Sequence, residues 1–183
     1  RVELLGLSRE SIGAARQALT SAPLHLSGAT QFNSTMSSGA LAATFADHQL
    51  EALIIVGGYD DPDSATHTWL LTLCRLVGQA LSRLSPGERP TVFYAGNQWA
   101  AAAAQELLQP REGPVTIHTI NNVLPHPGHV VRTELPVVLS QLYWQNCQRM
   151  PGFAQLSRWV TAPGHVTNIE ASFAQLVQIW MEY

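Results

Sequence analysis

The sequence contains no lysine, and all ten of its basic residues are arginine. A P-loop needs a lysine to reach the nucleotide phosphates, and Schiff-base chemistry needs a lysine amine, so this chain supplies neither site. Its formal net charge is −3 at pH 7. A general nucleic-acid binder normally carries a basic patch, so we expect no nucleic-acid partner.

Cysteine and long apolar runs are also scarce. Cys74 and Cys147 are far apart in helical patterns, and no C-x-x-C pair is present. We interpret them as buried, reduced thiols of a cytoplasmic protein. No apolar run reaches the ~18 residues of a membrane helix and no signal peptide is visible, so we expect no membrane partner.

Short apolar runs that alternate with longer helical patterns dominate the rest of the chain. This alternation predicts an α/β fold: a mostly parallel sheet flanked by helices, with a helical C-terminal part. We interpret residues 1–183 as a single α/β domain and expect it to be a fragment of a longer chain. The predicted strands are 23–27, 52–57, 90–95 and 114–119, of which the last three should be parallel neighbours. The predicted helices are 8–21, 34–49, 64–84, 97–109, 132–149 and 166–182. Ser8 is the expected cap of the first helix, and Asn33 or Ser34 that of the second.

Three of the four aspartates lie in one turn that directly follows the strand 52–57, Gly57-Gly58-Tyr59-Asp60-Asp61-Pro62-Asp63-Ser64. Open α/β sheets place their ligands at the carboxyl ends of strands. Glycines let the backbone approach a partner, and aspartates can hold a cation or hydroxyls. The alternative is a strand-to-helix turn in which Asp63 or Ser64 caps the next helix. That alternative leaves Asp60 and Asp61 unexplained.

Two more predicted strands end in small polar residues, Ala95-Gly96-Asn97 and Asn121-Asn122. Because the carboxyl ends of parallel strands meet at one edge, the three loops predict a polar pocket there. Asn97 can equally cap the helix that follows, and the asparagine pair can form a plain turn. The candidate ligand-binding residues are Gly57, Gly58, Asp60, Asp61, Gly96, Asn97, Asn121 and Asn122.

The sequence patterns for a metal site or a hydrolase site are weaker. His126 and His129 stand in a proline-rich loop without the further ligands that zinc needs. Asp60, Asp61 and Asp63 could together hold Mg²⁺, as in phosphotransfer sites. The serines lack the context of a nucleophilic hydrolase. We assign no catalytic residue, and the sequence leaves open whether the chain is an enzyme.

The three loops resemble, in order and spacing, segments of the glutamate mutase L-type accessory proteins. That family has a GGTDGG-type turn after a strand, then a strand that ends in AGN, then an NVMP-type segment. The matching pieces are residues 54–60, residues 92–97 and Asn122-Val123-Leu124-Pro125. The family is similar to the hydantoinase/oxoprolinase group and, through it, to the actin-like ATPase superfamily with its ribonuclease H-like fold.

The resemblance implies a function as well as a fold. It implies an accessory or chaperone-like (reactivation) protein whose partner is an adenosylcobalamin-dependent glutamate mutase. It also implies that ATP and Mg²⁺ act in the full-length protein. Asp60 is the acidic residue of the turn that matches the family, and we expect it to bond the adjoining loop or a ligand hydroxyl. The alternative is that Asp60 only orders its own turn.

The turn also departs from the family. Tyr59-Asp60-Asp61-Pro62 stands where the family has Thr-Asp-Gly-Gly, so close backbone approach to a phosphate is harder. The superfamily's Asp-Ile-Gly-Ser-Thr-like phosphate loop does not occur in this sequence. We therefore expect this chain alone to hold no cofactor, and neither to hydrolyse ATP nor to bind it tightly. The alternative function is a non-catalytic interaction or scaffold domain that keeps the fold without nucleotide binding.

Overall fold

The computed structural model describes residues 1–22, 24–62 and 65–153. Its strands are β1 (Val2–Gly6), β2 (Leu26–Gln31), β3 (Ala52–Val56), β4 (Thr91–Tyr94) and β5 (Ile117–Thr119). Its α-helices are α1 (Arg9–Ala18), α2 (Ser38–His48), α3 (Thr66–Leu81), α4 (Ala101–Leu108) and α5 (Glu134–Gln148). Short 3₁₀ turns occur at Leu19–Ser21, Pro86–Glu88 and Gln98–Ala100.

The described strands form one parallel sheet in the order β2-β1-β3-β4-β5. The strands predicted at 52–57, 90–95 and 114–119 are parallel neighbours, as expected. The coarse prediction of an α/β fold is therefore confirmed, while this sheet does not confirm the actin-like ATPase type. The strand order reverses between β1 and β3, which makes the fold doubly wound and places a topological switch point between these two strands.

Helices cover both faces of the sheet. α1 and α5 pack on the face of Leu4, Ile54 and Phe93, and α2, α3 and α4 pack on the face of Leu5 and Ile55. Successive strand residues point to opposite faces, so each central strand contributes to both cores. This explains why β3 is a continuous apolar run with every residue buried.

β1 was not predicted, and β2 was placed too early, at 23–27. The apolar run of β1 is interrupted by Glu3, which is only 2% exposed. Its Oε1 accepts a hydrogen bond from Thr30 Oγ1 at 3.1 Å, and its Oε2 lies 3.6 Å from His48 Nδ1. β2 has one neighbouring strand and is half-buried, so its sequence lacks an apolar signal.

The helix starts show which caps were predicted correctly. Ser8 caps α1, accepting from the Ser11 N–H at 3.1 Å. The prediction for the second helix is wrong, because α2 begins at Ser38 and is capped by Ser37. Asn33 instead accepts the Thr35 N–H at 3.0 Å within its own turn. The proposed caps Asp63 and Ser64, like the predicted helix 166–182, lie outside the described residues.

The two cysteines are free and buried, as the sequence predicted. Cys74 lies in α3 within the core, and burial raises the pKa of its thiol to about 12. Such a thiol stays protonated near neutral pH and is therefore a poor nucleophile. No helix within the described residues is long and apolar enough to cross a membrane.

Gly78 sets the approach of α3 to α4. A Cβ built on Gly78 would lie 2.0 Å from the backbone oxygen of Leu107, so no larger residue fits without moving α4. Gly13, inside α1, has open space at the same point. The two helical glycines therefore serve as a matched pair, one required by packing and one not.

We expect Gly78→Ala to lower the free energy of unfolding by about 1–3 kcal/mol, because an overpacked helix contact must open. Gly13→Ala should raise it by about 0.5–1 kcal/mol through better helix propensity. Urea denaturation followed by circular dichroism measures both. Equal effects of the two substitutions would contradict the close approach of α3 and α4.

Candidate functional site: the loop edge and the switch-point cleft

The three predicted loops meet at the carboxyl edge of β3, β4 and β5. Their backbones are joined directly: the Asn97 N–H donates to the Gly57 carbonyl at 3.0 Å, and the Val123 N–H donates to the Ala95 carbonyl at 3.2 Å. The Asp60 N–H donates to the Pro125 carbonyl at 2.9 Å. The three motifs that carry the family resemblance therefore lie in one hydrogen-bonded unit.

Asp60 connects these loops through its side chain. Its Oδ1 accepts hydrogen bonds from the Gln98 N–H at 2.8 Å and from Asn122 Nδ2 at 2.9 Å. The first donor follows β4 and the second follows β5. The expectation that Asp60 accepts hydrogen bonds from the adjoining loop is confirmed, and contact with a ligand hydroxyl stays a prediction.

Asn97 and Asn122 are buried and also bind across the loops. Asn97 accepts the Trp99 N–H at 2.8 Å, so it caps the 3₁₀ turn Gln98–Ala100 that leads into α4, which fits the alternative role as a cap. Its Nδ2 donates to the Asp61 carbonyl at 3.1 Å. Asn122 Nδ2 also donates to the Gly58 carbonyl at 2.9 Å, while its Oδ1 accepts the Leu124 N–H at 3.0 Å. Each amide thus uses both its donor and its acceptor inside the protein.

The glycines of the predicted site are explained by close packing of the loops. Gly58 has φ +73°, in the left-handed region that favours glycine. A Cβ on Gly96 would lie 2.8 Å from the Gly57 carbonyl oxygen, and one on Gly57 would lie 2.7 Å from the Leu7 side chain. These positions have to be small for the loops to meet, whether or not a ligand binds there.

Two predicted residues lie at the periphery. Asp61 is exposed, and Asn121 is exposed and donates its backbone N–H to Glu134 Oε2 at 2.7 Å. The structure therefore brings together Gly57, Gly58, Asp60, Gly96, Asn97 and Asn122, and leaves Asp61 and Asn121 at the rim.

The described part of the chain supports neither the zinc site considered at His126 and His129 nor the Mg²⁺ site considered at Asp60, Asp61 and Asp63. No group of three or more His, Cys, Asp or Glu side chains is close enough there to hold a metal ion. His126 and His129 form a turn, in which the His129 N–H donates to the His126 carbonyl at 3.0 Å. Asp63, the third aspartate of the Mg²⁺ hypothesis, lies outside the described residues.

A second feature at the same edge was not predicted from the sequence. A cleft of about 480 Å³ opens between the loops that follow β1, β2 and β3, at the switch point. It shares only Gly58 with the predicted set. The switch point becomes visible only when β1 is known, and Glu3 conceals that strand in the sequence. The cleft is lined by Leu7, Ser8, Glu10, Ser11, Phe32, Asn33, Ser34, Gly58, Tyr59, Thr66, Trp69 and Leu124.

One wall of the cleft carries a carboxylate paired with a phenol. The Tyr59 hydroxyl donates to Glu10 Oε2 at 2.7 Å, and this hydrogen bond raises the pKa of Tyr59 above its usual value. Phe32 and Trp69 form an aromatic pair with ring centroids 6.0 Å apart. Among the described lining residues, Glu10 supplies a negative charge and no arginine or histidine opposes it.

A scan against protein-family models and searches of curated proteins and of solved structures found no match for this chain. The resemblance to the mutase accessory proteins therefore rests on the three short motifs, and the fold description rests on the sheet order.

We expect Asn122→Ala to lower the free energy of unfolding by about 2–3 kcal/mol, because it removes the side-chain partner of the Gly58 carbonyl and of the Leu124 N–H, and one of the two donors to Asp60 Oδ1. Asp60→Ala should lower the free energy of unfolding by about 1.5–3 kcal/mol. The double variant Asp60→Ala/Asn122→Ala should lose about 1 kcal/mol less than the sum of the two single losses, because the two side chains are hydrogen-bonded to each other. Chemical denaturation of the single and double variants measures this coupling.

Asn121→Ala is the matched control for Asn122→Ala. This neighbouring side chain is exposed, so its loss should change stability by less than about 0.5 kcal/mol. If Asn121→Ala and Asn122→Ala cost the same, the loops are not held together as described.

Proposed function

We propose that this chain is a non-catalytic binding module of an accessory protein of the glutamate mutase L type. Its partner is an adenosylcobalamin-dependent glutamate mutase, on which the accessory protein acts in a chaperone-like (reactivation) role. The partner and the role come from the resemblance of the three loop motifs.

The observation that carries this proposal is the double hydrogen bond at Asp60 Oδ1. It joins the GGYD turn to Gln98, the residue directly after the Ala95-Gly96-Asn97 motif, and to Asn122 of the third motif. The Asn97 N–H adds a direct link between the first two motifs, because it donates to the Gly57 carbonyl. Because these loops are hydrogen-bonded to one another, there is a structural reason for the three motifs to occur together in one sequence. Together they form a loop edge held by hydrogen bonds, which we call the braced edge. A braced edge can present a fixed surface to a partner, as binding loops on a rigid scaffold do.

The burial and the hydrogen bonds of these polar side chains favour a binding role over a catalytic one. A catalytic acid, base or nucleophile has to reach a substrate atom, yet Asn97 and Asn122 are buried and bonded to the backbone. The non-catalytic interaction domain, which the sequence left as an alternative, therefore fits the geometry of this chain better than a phosphotransfer site.

The finer part of the proposal is an actin-like ATPase type, with ATP and Mg²⁺ acting in the full-length protein. It rests on the resemblance. For this chain alone we propose no tight ATP binding, since Asp61 and Pro62 occupy positions where the family has glycines. Backbone N–H groups that cradle a phosphate need such close approach.

Two titrations test the proposal. Biolayer interferometry of the 183-residue chain against purified adenosylcobalamin-dependent glutamate mutase should show saturable binding that ATP and Mg²⁺ do not change. Calorimetry of the chain with ATP and Mg²⁺ should show no binding at micromolar concentrations. Absence of mutase binding would overturn the assigned partner, and micromolar ATP affinity would overturn the proposal that this chain alone does not bind ATP tightly.

Two variants, Asp60→Asn and Asp60→Ala, show in the same interferometry assay whether the mutase recognises the braced edge or the charge of Asp60. Asparagine keeps an oxygen that can accept both loop hydrogen bonds, whereas alanine removes it. If the braced edge is what the mutase recognises, Asp60→Asn should bind like the wild type and Asp60→Ala more weakly. Equal loss in both variants would assign the Asp60 charge itself to the contact.

A further inference from the structure

The switch-point cleft has the position and size of a ligand site. In open α/β sheets, ligands bind outside the carboxyl ends of the strands where the strand order reverses. Here the cleft lies between the loops after β1, β2 and β3, and its volume of about 480 Å³ is in the range of small-molecule pockets. The cleft shares only Gly58 with the predicted loop-edge residues, and the inference does not depend on mutase binding.

Three aromatic side chains line this cleft: Phe32, Tyr59 and Trp69. Trp69 stands at the start of α3 and is 55% exposed, although its ring meets Phe32 at an interplanar angle of 53°. Aromatic faces carry negative electrostatic potential, and sets of them bind quaternary ammonium groups. The cleft therefore offers aromatic faces that the core does not cover.

Charge at the cleft favours a cation. Glu10 lies in the first turn of α1, and its Oε2 is fixed by the Tyr59 hydroxyl at 2.7 Å. No arginine or histidine is among the described lining residues. A cation in this cleft would be attracted by the charge of the carboxylate and also by the quadrupoles of the aromatic rings.

The same geometry disfavours an anion, even though a helix begins here. The start of α1 has a capping box, in which the Ser11 N–H donates to Ser8 Oγ and the Ser8 N–H to Ser11 Oγ. Two of the backbone donors at this helix start, the N–H groups of Ser8 and Ser11, are thus occupied. Glu10 adds repulsion against any anion at this end of α1.

We propose that the switch-point cleft binds a small alkylated ammonium ion. Phe32, Tyr59 and Trp69 contact the methylated nitrogen, and Glu10 compensates its charge. Leu7 and Leu124 supply apolar surface for the methyl groups, so the cleft prefers an alkylated cation to bare ammonium.

Calorimetric titration of the 183-residue chain with choline tests the proposal. The controls are inorganic phosphate and the uncharged alcohol in which carbon replaces the quaternary nitrogen of choline. Choline should bind, the uncharged isostere should bind at least roughly tenfold more weakly, and phosphate should not bind. Equal affinity for choline and its isostere, or no binding of choline at tens of millimolar, would overturn the proposal.

Two exposed tryptophans provide a matched pair of variants. Trp69→Ala should weaken choline binding by roughly threefold to thirtyfold, the range of a cation–π contact. Trp99, which is 64% exposed and does not line this cleft, should be replaceable by alanine without effect. Identical affinities of the two variants would contradict the assignment of the site.

Glu10→Gln separates charge from shape. Glutamine keeps an oxygen that accepts the Tyr59 hydroxyl, so the wall of the cleft stays in place while its charge is removed. Choline affinity should fall severalfold and affinity for the uncharged isostere should stay the same. Parallel loss for both ligands would show that Glu10 acts only by shaping the cleft, which contradicts the proposed role of its charge.

Discussion

The hydrogen bonds at the Asp60 carboxylate are the interaction on which the loop edge depends. Loops that leave neighbouring parallel strands carry backbone N–H and C=O groups that the sheet no longer pairs, and burial makes unpaired groups costly. One oxygen of Asp60 pairs a backbone donor after β4 and a side-chain donor after β5. The Asn97 and Asn122 amides pair the Asp61 and Gly58 carbonyls of the turn, so three loops of different length become one unit.

This unit also shapes the switch-point cleft. Gly58 and Tyr59 line the cleft on one side of the turn, while Asp60 anchors the other side to the loops of β4 and β5. Leu124, another lining residue, is fixed through its N–H by Asn122. The braced edge thus holds in place the tyrosine that orients Glu10, which links the structural role of the motifs to the proposed ligand site.

Sequence patterns predicted the parts of this fold that depend on local chemistry. The apolar run of β3, the Ser8 cap and the meeting of three loops on one edge follow from periodicity, cap preference and strand direction. β1 was missed because the buried Glu3 interrupts its pattern, and its partners Thr30 and His48 are distant in sequence. The need for Gly78, the partners of Asp60 and the aromatic cleft depend on which distant segments meet, which a single sequence does not specify.

Hydrogen exchange at the Gln98 amide tests the central claim most directly, because this N–H donates to Asp60 Oδ1 across two loops. We predict a protected Gln98 amide in the wild-type chain, and exchange roughly tenfold to a hundredfold faster in Asp60→Ala, as the loss of ~1.5–3 kcal/mol requires. In Asp60→Ala, the exchange rates of the β2 amides, at the far edge of the sheet, should rise by no more than the loss of global stability accounts for. Asn121→Ala should leave the Gln98 amide protected. A Gln98 amide that exchanges freely in the wild type, or at the same rate in Asp60→Ala, would contradict the account of Asp60 as the residue that holds this edge together.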